Sequence, residues 1–291
     1  MARVLPILVA LGFLIAGSTL GAQNQPLPDQ ESFLIETRTR LQTDSTLQSS
    51  YVYVETRREL KLDKGGRTQK ESVKVFESYP GLPGEERWER LIAEDGRPVP
   101  PEELARQDRE RQQKAHEMVQ RLARDSSKEL ARQERELQKA RREREEAVSD
   151  MYNVFEMRMI GRERVEEHDA IAFLLTPRPD AKPKTRAGEQ IRHFSLRAWV
   201  SENDHELVKL EAEAIDDLKF GLGVLARLHK GARLSFLRRK VNGEVWLPAV
   251  VSYHGSARVG LLFTLRRSGT SEYSGYRKYS VDTLVGFGTP K

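Results

Sequence analysis

The chain has 291 residues, 49 Lys and Arg against 44 Asp and Glu, a formal net charge of +5 and no cysteine. That composition excludes disulfides, thiolate metal sites, a cysteine nucleophile and lipid attachment through an N-terminal cysteine. Charges so nearly balanced form a solvated surface, not a nucleic-acid footprint, and leave only a weak, salt-sensitive attraction to anionic headgroups, that is, peripheral membrane contact.

Residues 1–22 carry a single cation at Arg3, an apolar run from Val4 to Ala16 and a small-residue tail from Gly17 to Ala22. This is the order of a secretory signal peptide, so a mature chain beginning near Gln23 and working in the periplasm, or otherwise exported, is expected. The apolar run is too short to span a bilayer, which takes ~20 residues. The rest divides into a leading helix and first strands over 23–100, a long charged helix over 101–149 and further strands over 150–291.

Gln30 to Leu47 reads as the leading helix. Period-two alternation then runs from Tyr51 to Leu62, turns at Asp63-Lys64-Gly65-Gly66 and returns through Ser72 to Phe76, a hairpin. A further strand covers Arg87 to Ile92 and closes at Glu94-Asp95-Gly96.

From Pro101 to Ser149 glycine disappears and strong helix formers take over, with opposite charges four residues apart at Glu102 and Arg106, Lys139 and Glu143, and Arg141 and Glu145. Pro100 and Pro101 set the start, with Glu102 and Glu103 on the positive end of the helix dipole. A helix of this length reaches roughly 70 Å, longer than a compact body of this size is wide. Its apolar stripe, Ala115, Met118, Val119, Leu122, Leu130 and Leu137 among others, is too thin for a sustained coiled-coil seam. The helix is therefore either a coiled-coil-like insertion solvated by its own charge pairs or a surface, over residues 102–148, for a protein partner.

Strands resume over Asn153–Val165, Ala170–Leu175, His193–Val200, Leu207–Ala212, Leu234–Val241, Val245–Tyr253, Val259–Arg267 and Tyr273–Leu284, with Asn242-Gly243 as a hairpin turn. About ten strands without alternating helices predict an α+β fold built on an antiparallel meander. Leu218 to His229 reads as a short apolar helix packed on it.

No catalytic constellation emerges, and neither a cofactor nor a metal site is expected. Gly221-Leu222-Gly223-Val224-Leu225-Ala226 matches a dinucleotide fingerprint but lacks the strand, long helix and parallel crossover that give it meaning. Glu166-Glu167-His168-Asp169 and Asp204-His205-Glu206 fall at turns, where solvated charges belong. His116-Glu117 lacks the second histidine of a zinc helix. The apolar features are more informative. Phe220, Leu222, Leu225 and Leu228 concentrate on one short segment, and Trp88, Trp199 and Trp246 stand on three separate strands. These seven are the candidate apolar ligand-binding residues, the tryptophans either lining a cavity or filling the core.

Arg197-Ala198-Trp199-Val200 followed by His205-Glu206-Leu207-Val208-Lys209-Leu210-Glu211, Val245-Trp246-Leu247-Pro248 after Asn242-Gly243, and Tyr276 to Val281 resemble the LolA-like outer-membrane lipoprotein-sorting superfamily over roughly residues 30–100 and 150–286. The resemblance implies a strongly curved, incomplete antiparallel barrel, or half-barrel, whose open side is closed by helices around an apolar cavity for acyl chains. The insertion at 101–149 departs from the carrier proteins of that group. Two readings follow: an exported, non-enzymatic binding protein for lipid or lipoprotein acyl chains, or an envelope scaffold or regulator whose charged helix meets a protein.

Overall fold

The computed structural model describes residues 25–43, 48, 50–81, 87–124, 127–220, 226–259 and 263–278. The signal peptide expected over 1–22 lies outside them. Helix α1 (Gln30–Thr43) precedes β1 (Tyr51–Leu62), β2 (Thr68–Tyr79), β3 (Trp88–Glu94) and β4 (Arg97–Pro98). Helices α2 (Pro101–Arg124) and α3 (Ser127–Val154) follow, then β5 (Phe155–Val165), β6 (His168–Pro177), α4 (Arg186–Ile191), β7 (Phe194–Ser201) and β8 (Leu207–Ala214). The chain continues with β9 (Leu218–Phe220), β10 (Ala226–Leu228), β11 (Arg233–Val241), β12 (Val245–Val259) and β13 (Phe263–Lys278).

All thirteen strands join one antiparallel sheet in the order β4-β3-β2-β1-β13-β12-β11-β8-β7-β6-β5, with β10 paired to β12 and β9 to β10. The result is the curved, unclosed sheet expected of a half-barrel. Tight hairpins set the register. Asn242 and Gly243 both take positive φ, +52° and +70°, as a turn matched to the right-handed strand twist requires.

An open sheet leaves two edge strands with unpaired peptide groups, a template for unwanted pairing. A glutamine side chain plugs each. On β5, Gln30 of α1 donates to the Met157 carbonyl at 2.9 Å and accepts from Met159 N at 2.8 Å. On β3, Gln107 of α2 accepts from Leu91 N at 3.0 Å and donates to Leu91 O at 3.1 Å. Asp108 forks onto Arg90 beside it.

Helices cover one face of the β5–β8 half. Phe33 of α1 and Val154 of α3 join Phe155, Ile171, Phe173, Leu175, Leu196, Ala198, Val200 and Ala212 in the main core. Phe33 stacks on Phe173 with centroids 5.8 Å apart. Each fully buried side chain of this kind contributes about 1.5–3 kcal/mol.

The base of α3 is held by Asp150, a fully buried carboxylate that accepts from Lys184 N, Thr185 N and Thr185 Oγ1 at 2.6–3.0 Å. Burial pushes its pKa up, but the donors from Lys184 and Thr185 outweigh that and hold it below the ordinary carboxylate range. Gly188 must be glycine here, since a Cβ would lie 2.4 Å from Asp150 Oδ2.

The charged segment is helical as expected, described as two helices either side of residues 125–126. Its base carries the docking contacts, and from Gln112 to Gln120 the side chains of α2 are mostly exposed, Val119 at 64 %. The segment read as a short helix, Leu218 to His229, is strand where it is described, at Leu218–Phe220 and Ala226–Leu228. It enters the sheet as β9 and leaves it as β10, because Ala226 and Leu228 pair with Val259 and Ala257 of β12. Free peptide groups on β12 give these residues a ladder that an isolated short helix lacks.

Candidate functional site

Side chains alternate across a strand, so register decides what each residue meets. Leu175, Leu196, Ala212, Leu234, Tyr253 and Gly269 form one cross-strand row on the helix-bearing face. The first three lie in the covered core. Leu234 and Tyr253, farther along the row, are 41 % and 38 % exposed. With Phe194, Leu228, Ala257 and Leu265 they line a groove of about 360 Å³ that no helical residue enters. Its walls are almost wholly apolar, with Arg267 at the rim, ion-paired to Glu59 at 3.7 Å. Tyr253 lies flat over Gly269, where a Cβ would come within 2.5–2.7 Å of its ring, and its hydroxyl donates to Glu59 at 3.4 Å. Burial pushes the Tyr253 phenol above its ordinary pKa.

The seven candidates do not converge. Leu228 lines the groove. Leu222 and Leu225 lie outside the described residues, and Phe220 is placed only by its backbone, opposite Ala226. Trp199 is 4 % exposed on the opposite face, packed with Ala170 and Ala172. Its indole donates to Glu163 at 2.8 Å, and Arg197 and Lys209 sit over its ring. Trp246, 2 % exposed, donates to Asp204 at 3.2 Å and meets His168 edge-on at 4.6 Å. Trp88 stacks near Tyr79 beneath Arg111 of α2, beside a hollow walled by Glu89, Gln107, Glu110 and Lys114. The groove-lining residues that sequence reasoning missed, Phe194, Leu234, Tyr253 and Leu265, were each visible only as one apolar position of an alternating strand.

A larger hollow, about 610 Å³, has a mixed wall, in which Leu174, Leu196 and Ile215 stand beside polar groups. Ser235, Ser252, Ser268 and Thr270 line it together with the ion pair Arg233–Glu213 at 3.1 Å.

The acidic turns weighed as metal ligands gather at one end of the sheet, each with a cation of its own. Asp204 receives Lys240 at 3.0 Å on both oxygens, Glu206 receives Arg238 at 3.2 Å, Glu166 receives Arg239 at 3.2 Å and Glu202 receives Arg162 at 2.6 Å. Burial raises the Asp204 pKa, but Lys240 and Trp246 outweigh it and leave the carboxyl below its usual range. Among the described residues no group of three His, Asp or Glu is arranged to hold a metal ion.

No family model and no curated protein matches the chain. The chain is similar to solved structures of the LolA superfamily. A putative outer membrane lipoprotein-sorting protein domain from Vibrio parahaemolyticus shares 10 % identity, with 87 % of this chain and 94 % of that chain covered and a TM-score of 0.32. A LolA superfamily protein from Nitrosomonas europaea shares 9 % identity over 87 % of this chain and 96 % of that one, at a TM-score of 0.27. The Pseudomonas aeruginosa MucA/MucB complex gives 9 % identity over 86 % of this chain and 99 % of the matched chain, at a TM-score of 0.24.

Proposed function

We propose that the protein is an exported, non-enzymatic binding protein that shelters an apolar ligand, a lipid or a lipoprotein acyl chain, against the bare part of its half-barrel. The observation that supports this most is the groove of Phe194, Leu228, Leu234, Tyr253, Ala257 and Leu265, where the covered core runs on across the sheet and loses its cover. Its 360 Å³ falls within the range of small-molecule sites, ~300–1,000 Å³. Burial at about 0.8 kcal/mol per CH₂ drives capture without polar chemistry. Export rests on the signal-peptide pattern of residues 1–22.

The test is direct. Protein purified from the envelope should release a lipid on organic extraction, and native mass spectrometry should show the matching adduct. In the double variant Leu228→Asp and Leu234→Asp both the adduct and binding of N-phenylnaphthylamine should vanish while the protein stays folded. A wild type that carries no lipid and does not bind the probe refutes the reading.

The scaffold reading has one observation in its favour: α2 runs on past its docking contacts with Val119 64 % exposed. Replacing residues 113–146 with a Gly/Ser linker of equal length separates the two. Probe binding survives if the groove is the site, and a crosslinked envelope partner is lost if the helix is.

A further inference from the structure

The two ends of the sheet differ in charge. At the end where turns 166–167, 202–206 and 242–244 gather, five of the six acidic side chains have their own cations: Glu166, Glu202, Asp204, Glu206 and Glu244 are paired with Arg239, Arg162, Lys240, Arg238 and Lys278. At the other end, the described residues of segments 59–67, 217–230 and 254–267 carry nine lysines and arginines against only Glu59, Asp63 and Asp217. Of the nine, among the described residues only Arg67, Arg227 and Arg267 are ion-paired, to Asp63, Asp217 and Glu59. On a chain whose overall charge is nearly balanced, this is a concentrated positive end.

Its geometry is unusual. Lys219, Arg227 and Arg258 stand in one cross-strand row over β9, β10 and β12, with Arg227 directly opposite Arg258. Like charges so placed repel. The Nε atoms of Arg227 and Arg258 are both buried without a hydrogen-bond partner, and the nearest acid, Asp217, reaches only Arg227 Nη1, at 3.6 Å. Such a row is stable when an anion lies across it.

The same strands turn the opposite chemistry to their other face, where Leu228, Ala257 and Leu265 line the groove. Cations spread over neighbouring strand ends, with apolar side chains on the reverse of the same strands, match a bilayer interface better than a closed anion pocket.

We propose that the β9–β10 and β12 end of the sheet docks on an anionic phospholipid surface, with Lys219, Arg227 and Arg258 on the headgroup phosphates. This stands independently of the ligand assigned to the groove. The experiment is sedimentation of the mature protein with vesicles of phosphatidylcholine alone and of phosphatidylcholine mixed with phosphatidylglycerol. Binding should appear only with phosphatidylglycerol and fall steeply as sodium chloride is raised to about 0.5 M, where the screening length shrinks to a few ångströms. The double variant Arg227→Gln and Arg258→Gln should bind about thirtyfold more weakly, as expected for two interfacial cations. The variant Lys139→Gln and Arg141→Gln, which removes the same charge from α3, should bind as the wild type does. Circular dichroism and the melting temperature establish that both variants are folded. Equal binding to both vesicle types, or equal losses in the two variants, overturns the proposal. So does displacement by millimolar inorganic phosphate at constant ionic strength, which would make the row a site for a soluble anion.

Discussion

The β5–β8 half and the β11–β13 half share one sheet, one face and one continuous apolar row, yet only the first is covered. Over β5–β8, α1 and the end of α3 press Phe33 and Val154 onto Ile171 and Phe173, and every one of those side chains is at most 3 % exposed. Over β11–β13 the same row continues through Leu234 and Tyr253 with no helix of the described residues above it and a hollow in its place. Apolar surface without cover is costly in water, and such a strip is the feature on which the proposed binding role rests. On the proposed reading, the covered half supplies stability and the bare half exchanges ligand without unfolding.

The largest effects should therefore fall in the covered half. Phe173→Ala, made in a residue 2 % exposed, should cost about 3–5 kcal/mol through lost burial and the cavity left behind. Leu234→Ala, in the bare half, should cost no more than about 0.5 kcal/mol. Urea unfolding of the two variants measures both, and similar losses would erase the distinction between the halves.

Next in size is the anchor that brings α3 to its place. Asp150→Ala leaves the part-buried donors of Lys184 and Thr185 without their acceptor and should destabilise by about 2–3 kcal/mol. Its folded pKa lies below the unfolded value of 3.8, so its contribution is fully present above that value and is lost as pH falls through the folded pKa. In Asp150→Asn the stability curve should be flatter between about pH 5 and pH 2 than in the wild type. An acid limb of unchanged slope would assign the acid sensitivity to other carboxylates.

Much of this architecture is legible in the sequence, because period-two alternation and turn residues such as Asn242-Gly243 act locally. Glycine-free, charge-paired runs likewise give away α2 and α3. The misreading of Leu218 to His229 has a physical cause: its strands are three residues each, too short to show a period, and exist only because β12 extends past β11 to receive them. The tryptophans mislead for a related reason. Trp199 and Ala198 are neighbours in sequence on opposite faces, and only the register shows that Trp199 faces Glu163 and Lys209 while Ala198 faces the covered core. The groove itself is a fact about where helices stop, which no strand sequence records.

A smaller effect on stability, and a larger one on binding, is expected from Leu228→Asp with Leu234→Asp. Both side chains border open space, so the carboxylates stay hydrated and the melting temperature should fall by only a few degrees. Uptake of an apolar probe should be lost. If the double variant unfolds instead, the strip belongs to the core and the two halves differ only in degree.

The finest test of the comparison is Gly269→Ala. A methyl group there would meet the Tyr253 ring at 2.5–2.7 Å, closer than any real contact, so the ring has to swing off the sheet. In the covered half such a demand would collide with packed neighbours and cost stability. Here Tyr253 is 38 % exposed and the hydrogen bond from its hydroxyl to Glu59 is long at 3.4 Å, so the ring can move at a cost of about 1 kcal/mol or less. What changes is the shape of the groove, because the displaced ring takes up space beside Leu234 and Leu265. Probe affinity should drop severalfold while the urea midpoint hardly moves. A variant that loses stability and keeps its affinity would show the Tyr253 ring to be a structural lid over Gly269 and not a wall of the binding site.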